Sequence, residues 1–156
     1  MIKYPYTILY GVKGMMISTK GRYALRVMID LAEQGKTGYI PLKEIAARQD
    51  ISQKYLESIM TMLSKNNLIE ALHGKGGGYR LNRGPQEYRV GDILRVTEGS
   101  LAPVSCLDCS STPCENATGC RTLPMWNKLN DIINEYLDSV TIADLLRNEK
   151  ADYYVI

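Results

Sequence analysis

Ser52 stands between Ile51 and Leu56 in the arrangement that starts a helix: a capping hydroxyl, with apolar residues placed to clamp the first turn. From there Leu56, Ile59, Met60 and Leu63 recur at helical spacing, and Gln53, Lys54, Glu57, Ser58 and Thr61 fill the opposite face. Upstream, Pro41 opens a short helix from Leu42 to about Gln49, with Leu42, Ile45 and Ala46 facing inward. Asp50-Ile51-Ser52 is then a tight turn. Short helix, turn and second helix with one apolar face is the helix-turn-helix pattern.

The flanking segments extend that pattern. Ser18 or Thr19 caps a first helix whose stripe is Tyr23, Ala24, Val27, Met28 and Leu31. After the second helix, Leu68–Leu72 and Tyr79–Leu81 read as two short strands. Four glycines in six residues (His73-Gly74-Lys75-Gly76-Gly77-Gly78) join them, a loop whose backbone can approach a partner closely. Val90–Thr97 reads as another short helix. The expected fold is mainly α with a small β-hairpin wing (α+β): a winged helix-turn-helix followed by a long C-terminal dimerisation helix.

The chemistry of such a fold is DNA binding. Ser52, Gln53, Lys54, Tyr55 and Glu57 head the second helix, whose N-terminal residues can meet base edges in a major groove. Gln pairs with adenine, Lys with guanine, and Glu accepts from cytosine. In the wing, His73, Lys75, Gly76 and Gly77 can reach phosphates or a minor groove, and Lys20 and Arg22 can hold phosphates at the first helix. The competing reading is a small globular core without a ligand; the hairpin directly after the second helix favours the DNA reading. The formal net charge is only +2, so the binding surface must come from local clustering of Lys and Arg.

Composition changes between Leu101 and Gly119, a loop that carries Pro103, Pro113 and the spacing Cys106-x2-Cys109-x4-Cys114, with Cys120 six residues further on. Thiolates so spaced can converge on one metal centre. A structural zinc site usually shows two close ligand pairs, whereas an iron–sulfur cluster tolerates wider spacing. The spacing therefore suits a cluster better than zinc, and leaves a reactive thiol pair or unreactive cysteines open. Beyond the loop, Trp126, Leu129, Ile133, Tyr136 and Val140 form a 3-4-3-4 seam on a helix from Leu123 to about Ser139, the pattern of a helix lying along another helix. Thr141-Ile142-Ala143-Asp144 is a capping box that opens a last short helix.

The expected organisation is an extension without function at 1–15, a winged helix-turn-helix at 16–98, a cysteine-rich sensor loop at 99–121, the dimerisation and terminal helices at 122–147, and a tail at 148–156. An enzyme would need a base and a nucleophile. The single histidine lies in the wing, far from the cysteines, and no nucleophile-elbow, P-loop or metalloprotease pattern occurs. No apolar run approaches the ~20 residues of a membrane span and no signal-peptide pattern opens the chain, which points to the cytoplasm.

Four stretches together resemble the Rrf-two/IscR-type family of bacterial winged-helix transcription regulators: Ile17–Ala24, Ile51–Glu57, Gly74–Tyr79 and Leu137–Leu145. The resemblance covers about residues 16 to 147. It implies a homodimer joined by the long helix and bound to a partly palindromic double-stranded DNA operator. It also implies a cluster, [2Fe–2S] or in some members [4Fe–4S], on three cysteines that fall at Cys109, Cys114 and Cys120. Iron–sulfur-assembly regulators add a histidine where this chain has Leu123, and Cys106 is the substitute ligand. The nitric-oxide-sensing branch has an aspartate where this chain has Gly21-Arg22. The ending Asp152–Ile156 and Ala102-Pro103-Val104 are similar to the cysteine-metabolism repressors of Gram-positive bacteria. Those lack the cysteine loop and respond through an enzyme of cysteine synthesis. The resulting expectation is a dimeric repressor that senses iron–sulfur or redox status. The alternatives are a repressor controlled by a cysteine-synthesis enzyme or thiol oxidation, and an iron–sulfur or zinc redox protein.

Overall fold

The structure, a computed structural model, describes residues 17–35, 38–108 and 114–147. The N-terminal extension 1–15, Cys109, Pro113 and the tail 148–156 lie outside the described residues, as do Lys36 and Thr37 in the loop after the first helix.

Helix α1 (Thr19–Gln34) starts at Ser18, whose hydroxyl accepts the Gly21 N–H at 3.2 Å. Its stripe Ala24, Val27, Met28 and Leu31 is fully buried. Helix α2 (Leu42–Gln49) ends at Asp50, which takes a left-handed conformation (φ 53°, ψ 51°). That residue turns the chain sharply enough for α3 (Gln53–Lys65) to begin three positions later. As the spacing predicts, α3 buries Leu56, Ile59, Met60 and Leu63.

The wing pairs β1 (Ile69–Leu72) with β2 (Gly78–Leu81) in an antiparallel ladder that sets Ile69 opposite Leu81 and Leu72 opposite Gly78. Leu68 lies before the ladder and is buried in the core. Ile40, just before α2, exchanges two backbone hydrogen bonds of 2.9 Å with Tyr79. This isolated bridge ties the wing to the helix-turn-helix, and the sequence pattern does not announce it. A side chain at Gly78 would put its Cβ 2.2 Å from the Ile40 carbonyl, so only glycine admits this approach.

A 3₁₀ turn (Pro85–Glu87) leads into α4 (Val90–Glu98), one residue longer than the sequence suggests. The cysteine segment contains two further 3₁₀ turns, Ser105–Leu107 and Ala117–Gly119, where an irregular loop is expected. Helix α5 (Leu123–Ser139) and the short α6 (Ile142–Arg147) follow. The capping box forms: the Thr141 hydroxyl accepts the Asp144 N–H at 3.2 Å, and the Asp144 carboxylate accepts the Thr141 N–H at 3.0 Å.

One core unites α1, α2, α3, both strands, α4 and Ile142 of α6. A second cluster, Val90, Leu94 and Leu101, takes in Leu137 and Val140 and so seats the end of α5 on α4. Arg95 bridges the same joint to Asn134 at 2.9 Å and Asp138 at 2.8 Å. A Cβ at Gly91 would lie 2.0 Å from the Asp138 carboxylate, so glycine lets the two helices close.

Candidate nucleic-acid interface and cysteine segment

The Ser52 hydroxyl accepts the Tyr55 N–H at 3.4 Å and thereby fixes the first turn of α3. Gln53, Lys54, Glu57, Ser58 and Thr61 are exposed along one face, while Leu56 between them is fully buried. Tyr55 is partly exposed, and its ring meets that of Tyr23 edge to face at 6.0 Å and 73°. The Arg26 guanidinium lies 5.1 Å from the other ring of that pair, Tyr23. Tyr23, expected in the core stripe, is half-buried and faces α3.

The wing loop is a built turn. Gly74 and Gly76 have φ of 99° and 78°, in the region that favours glycine, and the Gly77 N–H donates to the Gly74 carbonyl at 3.0 Å. His73 and Lys75 are exposed on it. At its base Arg80 donates to Glu70 at 2.7 Å, Tyr39 donates to the same carboxylate at 3.1 Å, and Arg80 stacks over the Tyr39 ring. The Arg80 hydrogen bond, then that of Tyr39, hold the Glu70 carboxyl below its ordinary range.

At the start of α1, Arg22 is exposed and donates to Thr19 at 3.2 Å, while Lys20 is half-buried. The Glu98 carboxylate accepts from the Ser18 N–H (3.2 Å) and hydroxyl (2.7 Å). This places an anion at the positive end of α1. A Cβ at Gly21 would sit 2.3 Å from that carboxylate and displace it.

The cysteine segment is less gathered. Cys106 and Cys114 are exposed free thiols, and Cys120 is half-buried just ahead of α5. Cys120 lies 3.3 Å from the Thr122 hydroxyl and lines an open hollow of about 500 Å³ with Glu115, Asn116, Thr118 and Gly119. The Thr122 hydroxyl, then the backbone at Thr122, keep this thiol below its ordinary value. Among the described residues no three His, Cys, Asp or Glu side chains converge as a metal-holding group. Leu123, the first residue of α5, puts an apolar side chain three positions after Cys120.

No residue of α5 is buried. Its exposed apolar residues are Met125 (54%), Leu129 (38%), Ile132 (49%) and Tyr136 (67%), at 4-3-4 spacing. Of the seam read from the sequence, Leu129 and Tyr136 lie on this face, Trp126 and Ile133 are half-buried beside it, and Val140 packs into the second cluster.

A family model described as Rrf2, iron-dependent transcriptional regulator, matches residues 17–148. The chain belongs to the Rrf2 family. It is 35% identical over 136 residues to the HTH-type transcriptional regulator IscR of Pectobacterium atrosepticum, spanning 87% of this chain and 82% of that one. The structure of CymR (YrzC), the global cysteine regulator of B. subtilis, is 37% identical, spans 85% of this chain and 96% of its own, and superposes with a TM-score of 0.68. T. potens IscR gives 38% identity, 91% and 94% coverage and a TM-score of 0.67. This Rrf2 chain is a DNA-binding transcription regulator of the IscR/CymR type, not an enzyme.

Arg26 escapes sequence reading. It is one exposed arginine among many until α1 and α3 cross and bring Tyr23 onto Tyr55; the spacing of Arg22 and Arg26, one turn apart, is the only local signal.

Proposed function

We propose that this Rrf2-family chain is a homodimeric repressor whose grip on a double-stranded DNA operator is set by a cysteine-bound iron–sulfur cluster. The observation that carries the DNA face is the first turn of α3. It exposes Gln53, Lys54, Tyr55 and Glu57 together while Leu56, Ile59, Met60 and Leu63 on the inner face of the helix are buried. Ser52 holds that turn, and His73, Lys75, Gly76 and Gly77 flank it as phosphate contacts, with Lys20 and Arg22 at the start of α1.

The exposed 4-3-4 stripe on α5 supports the dimer. A two-fold axis would pair it with its own copy and cover Met125, Leu129, Ile132 and Tyr136, with Trp126 and Ile133 at its edge. Two subunits so joined present two α3 helices to half-sites about one helical turn apart.

The donor set fits a cluster by its chemistry. Cys106, Cys114 and Cys120 are free thiols, Cys120 is held toward the thiolate, and a soft thiolate set suits an iron–sulfur centre. Cys109, Cys114 and Cys120 would hold it, with Cys106 as the fourth ligand in place of Leu123. Such a group supplies sensitivity to iron supply and oxidants. Because this segment leads directly into α5, its order affects the spacing of the two α3 helices, a coupling typically worth about 1–3 kcal/mol.

A second reading, favoured by the likeness to CymR, is a cysteine-metabolism repressor controlled by a cysteine-synthesis enzyme or by thiol oxidation. Zinc, or no metal, on the cysteines belongs with it. No helix of the described residues is long and apolar enough to cross a membrane, and a cytoplasmic place suits either reading.

The test is anaerobic reconstitution with iron and sulfide, followed by DNA binding to the promoter of its own gene. Cluster absorption that tracks operator affinity, and is lost in Cys120→Ala, is expected. A colourless protein with unchanged operator affinity would favour the second reading, and capture of a cysteine-synthesis enzyme would settle on it. Absence of any preference for operator DNA would leave only a redox protein.

A further inference from the structure

We propose that Arg26 is a positioning residue of the DNA-reading face, fastening the first turn of α3 to α1 and to the end of α2. The inference rests on the reading of α3 as the DNA-reading helix.

An exposed arginine on a helix is ordinarily solvated and orders nothing. Arg26 is engaged on two sides instead. Its Nε donates to Gln49 Oε1 at 3.1 Å, and its Nη2 donates to the Gln49 backbone carbonyl. Gln49 is the last residue of α2, so that carbonyl is one of the helix-end acceptors without an intrahelical donor. A cation there also faces the negative end of α2.

The Gln49 amide is itself fixed. Its Nε2 donates to Asp30 Oδ2 at 2.8 Å, and Asp30 is only 2% exposed. Arg48 binds the same carboxylate through two nitrogens, at 3.0 and 2.7 Å. A carboxylate accepts only, so the amide nitrogen must face Asp30 and its oxygen is presented to Arg26.

On its other side the Arg26 guanidinium lies over Tyr23, whose ring meets Tyr55, the third residue of α3. The run Asp30, Gln49, Arg26, Tyr23 and Tyr55 therefore spans the left-handed turn at Asp50 and adds a tertiary tie to the local cap that Ser52 supplies. Reading bases demands side chains held to about 0.5 Å. A loosened first turn would lose discrimination between sequences before it lost attraction to phosphate.

This separates positioning from phosphate binding. Nε and Nη2 are committed to Gln49, and the planar fork that makes both bonds is not available to lysine. The experiment measures affinity of the full chain for its operator fragment and for an unrelated duplex of equal length, across salt. In both Arg26→Ala and Arg26→Lys the ratio of the two affinities is expected to fall roughly tenfold, the loss of about one base pair's worth of recognition. The salt slope stays as in the parent. Tyr23→Phe keeps the ring and the ratio; Tyr23→Leu lowers it, and combined with Arg26→Ala adds less than the sum.

A salt slope reduced by about one, with both DNAs weakened alike, would make Arg26 a phosphate contact and overturn the proposal. An unchanged ratio in Arg26→Ala would overturn it too, provided Lys54→Ala lowers operator affinity. If Lys54→Ala also changes nothing, the reading face itself is misassigned and the positioning role falls with it.

Discussion

Helices α3 and α5 carry the same kind of apolar repeat and meet opposite fates. In α3, 13 residues long, the repeat is wholly buried within the chain, against α1, α2, β1 and α4. In α5, 17 residues long, Leu137 and Asp138 meet α4, with Val140 just beyond the helix, and α5 also touches the 3₁₀ turn Ser105–Leu107, yet no residue of it is buried. The remaining stripe stays open. A monomeric protein seldom leaves large apolar residues in a row at the surface. The two helices thus show one pattern answered inside the chain and one that asks for a partner outside it.

The largest effect that sharpens the contrast is Leu56→Ala, which empties a fully buried site beneath the exposed α3 face. It should cost about 2–5 kcal/mol in denaturant unfolding. Leu129→Ala on α5 should behave differently. We expect its mass by light scattering to shift toward the monomer and any loss of stability to depend on protein concentration. A concentration-independent loss as large as that of Leu56→Ala would erase the distinction.

The joint between the two regions comes next. Arg95→Ala removes the link from α4 to Asn134 and Asp138, all part-exposed, and should cost about 1 kcal/mol. Its sharper readout is increased hydrogen exchange in α5 with α3 unaffected; protection lost equally in both would show that the helices form one cooperative unit.

Smallest is Thr141→Ala, which opens the cap that begins α6. The Asp144 carboxyl is held below its ordinary value, first by the Thr141 hydroxyl and then by its backbone N–H. A lowered folded value means the stabilisation is full at neutral pH and fades as pH falls through the acid range. The parent and Thr141→Ala melting temperatures should therefore differ slightly at pH 7 and converge in acid. A gap that widens in acid would contradict this.

Much of the frame is legible in local chemistry. Ser18, Ser52 and Thr141 mark helix starts because a hydroxyl before an apolar repeat satisfies the first free N–H groups. The glycine loop marks the wing because its turn needs positive φ at Gly74 and Gly76. The bounds of α5 follow the repeat itself. The bridge from Ile40 to Tyr79, and the Arg26 run, were not legible, because each depends on which distant residue arrives, not on any neighbour.

The clearest division lies in the stripe on α5. The order of residues alone settles that a helix spans Leu123–Ser139 and that it is apolar on one broad side. A helical period of 3.6 leaves two overlapping phases on that side, Trp126-Leu129-Ile133-Tyr136-Val140 and Met125-Leu129-Ile132-Tyr136. Only the packing of α4, through Gly91, Arg95 and Leu94, draws Leu137 and Val140 inward and turns the second phase to the surface. Periodicity is a property of the chain; the direction a stripe faces is a property of whatever packs behind it.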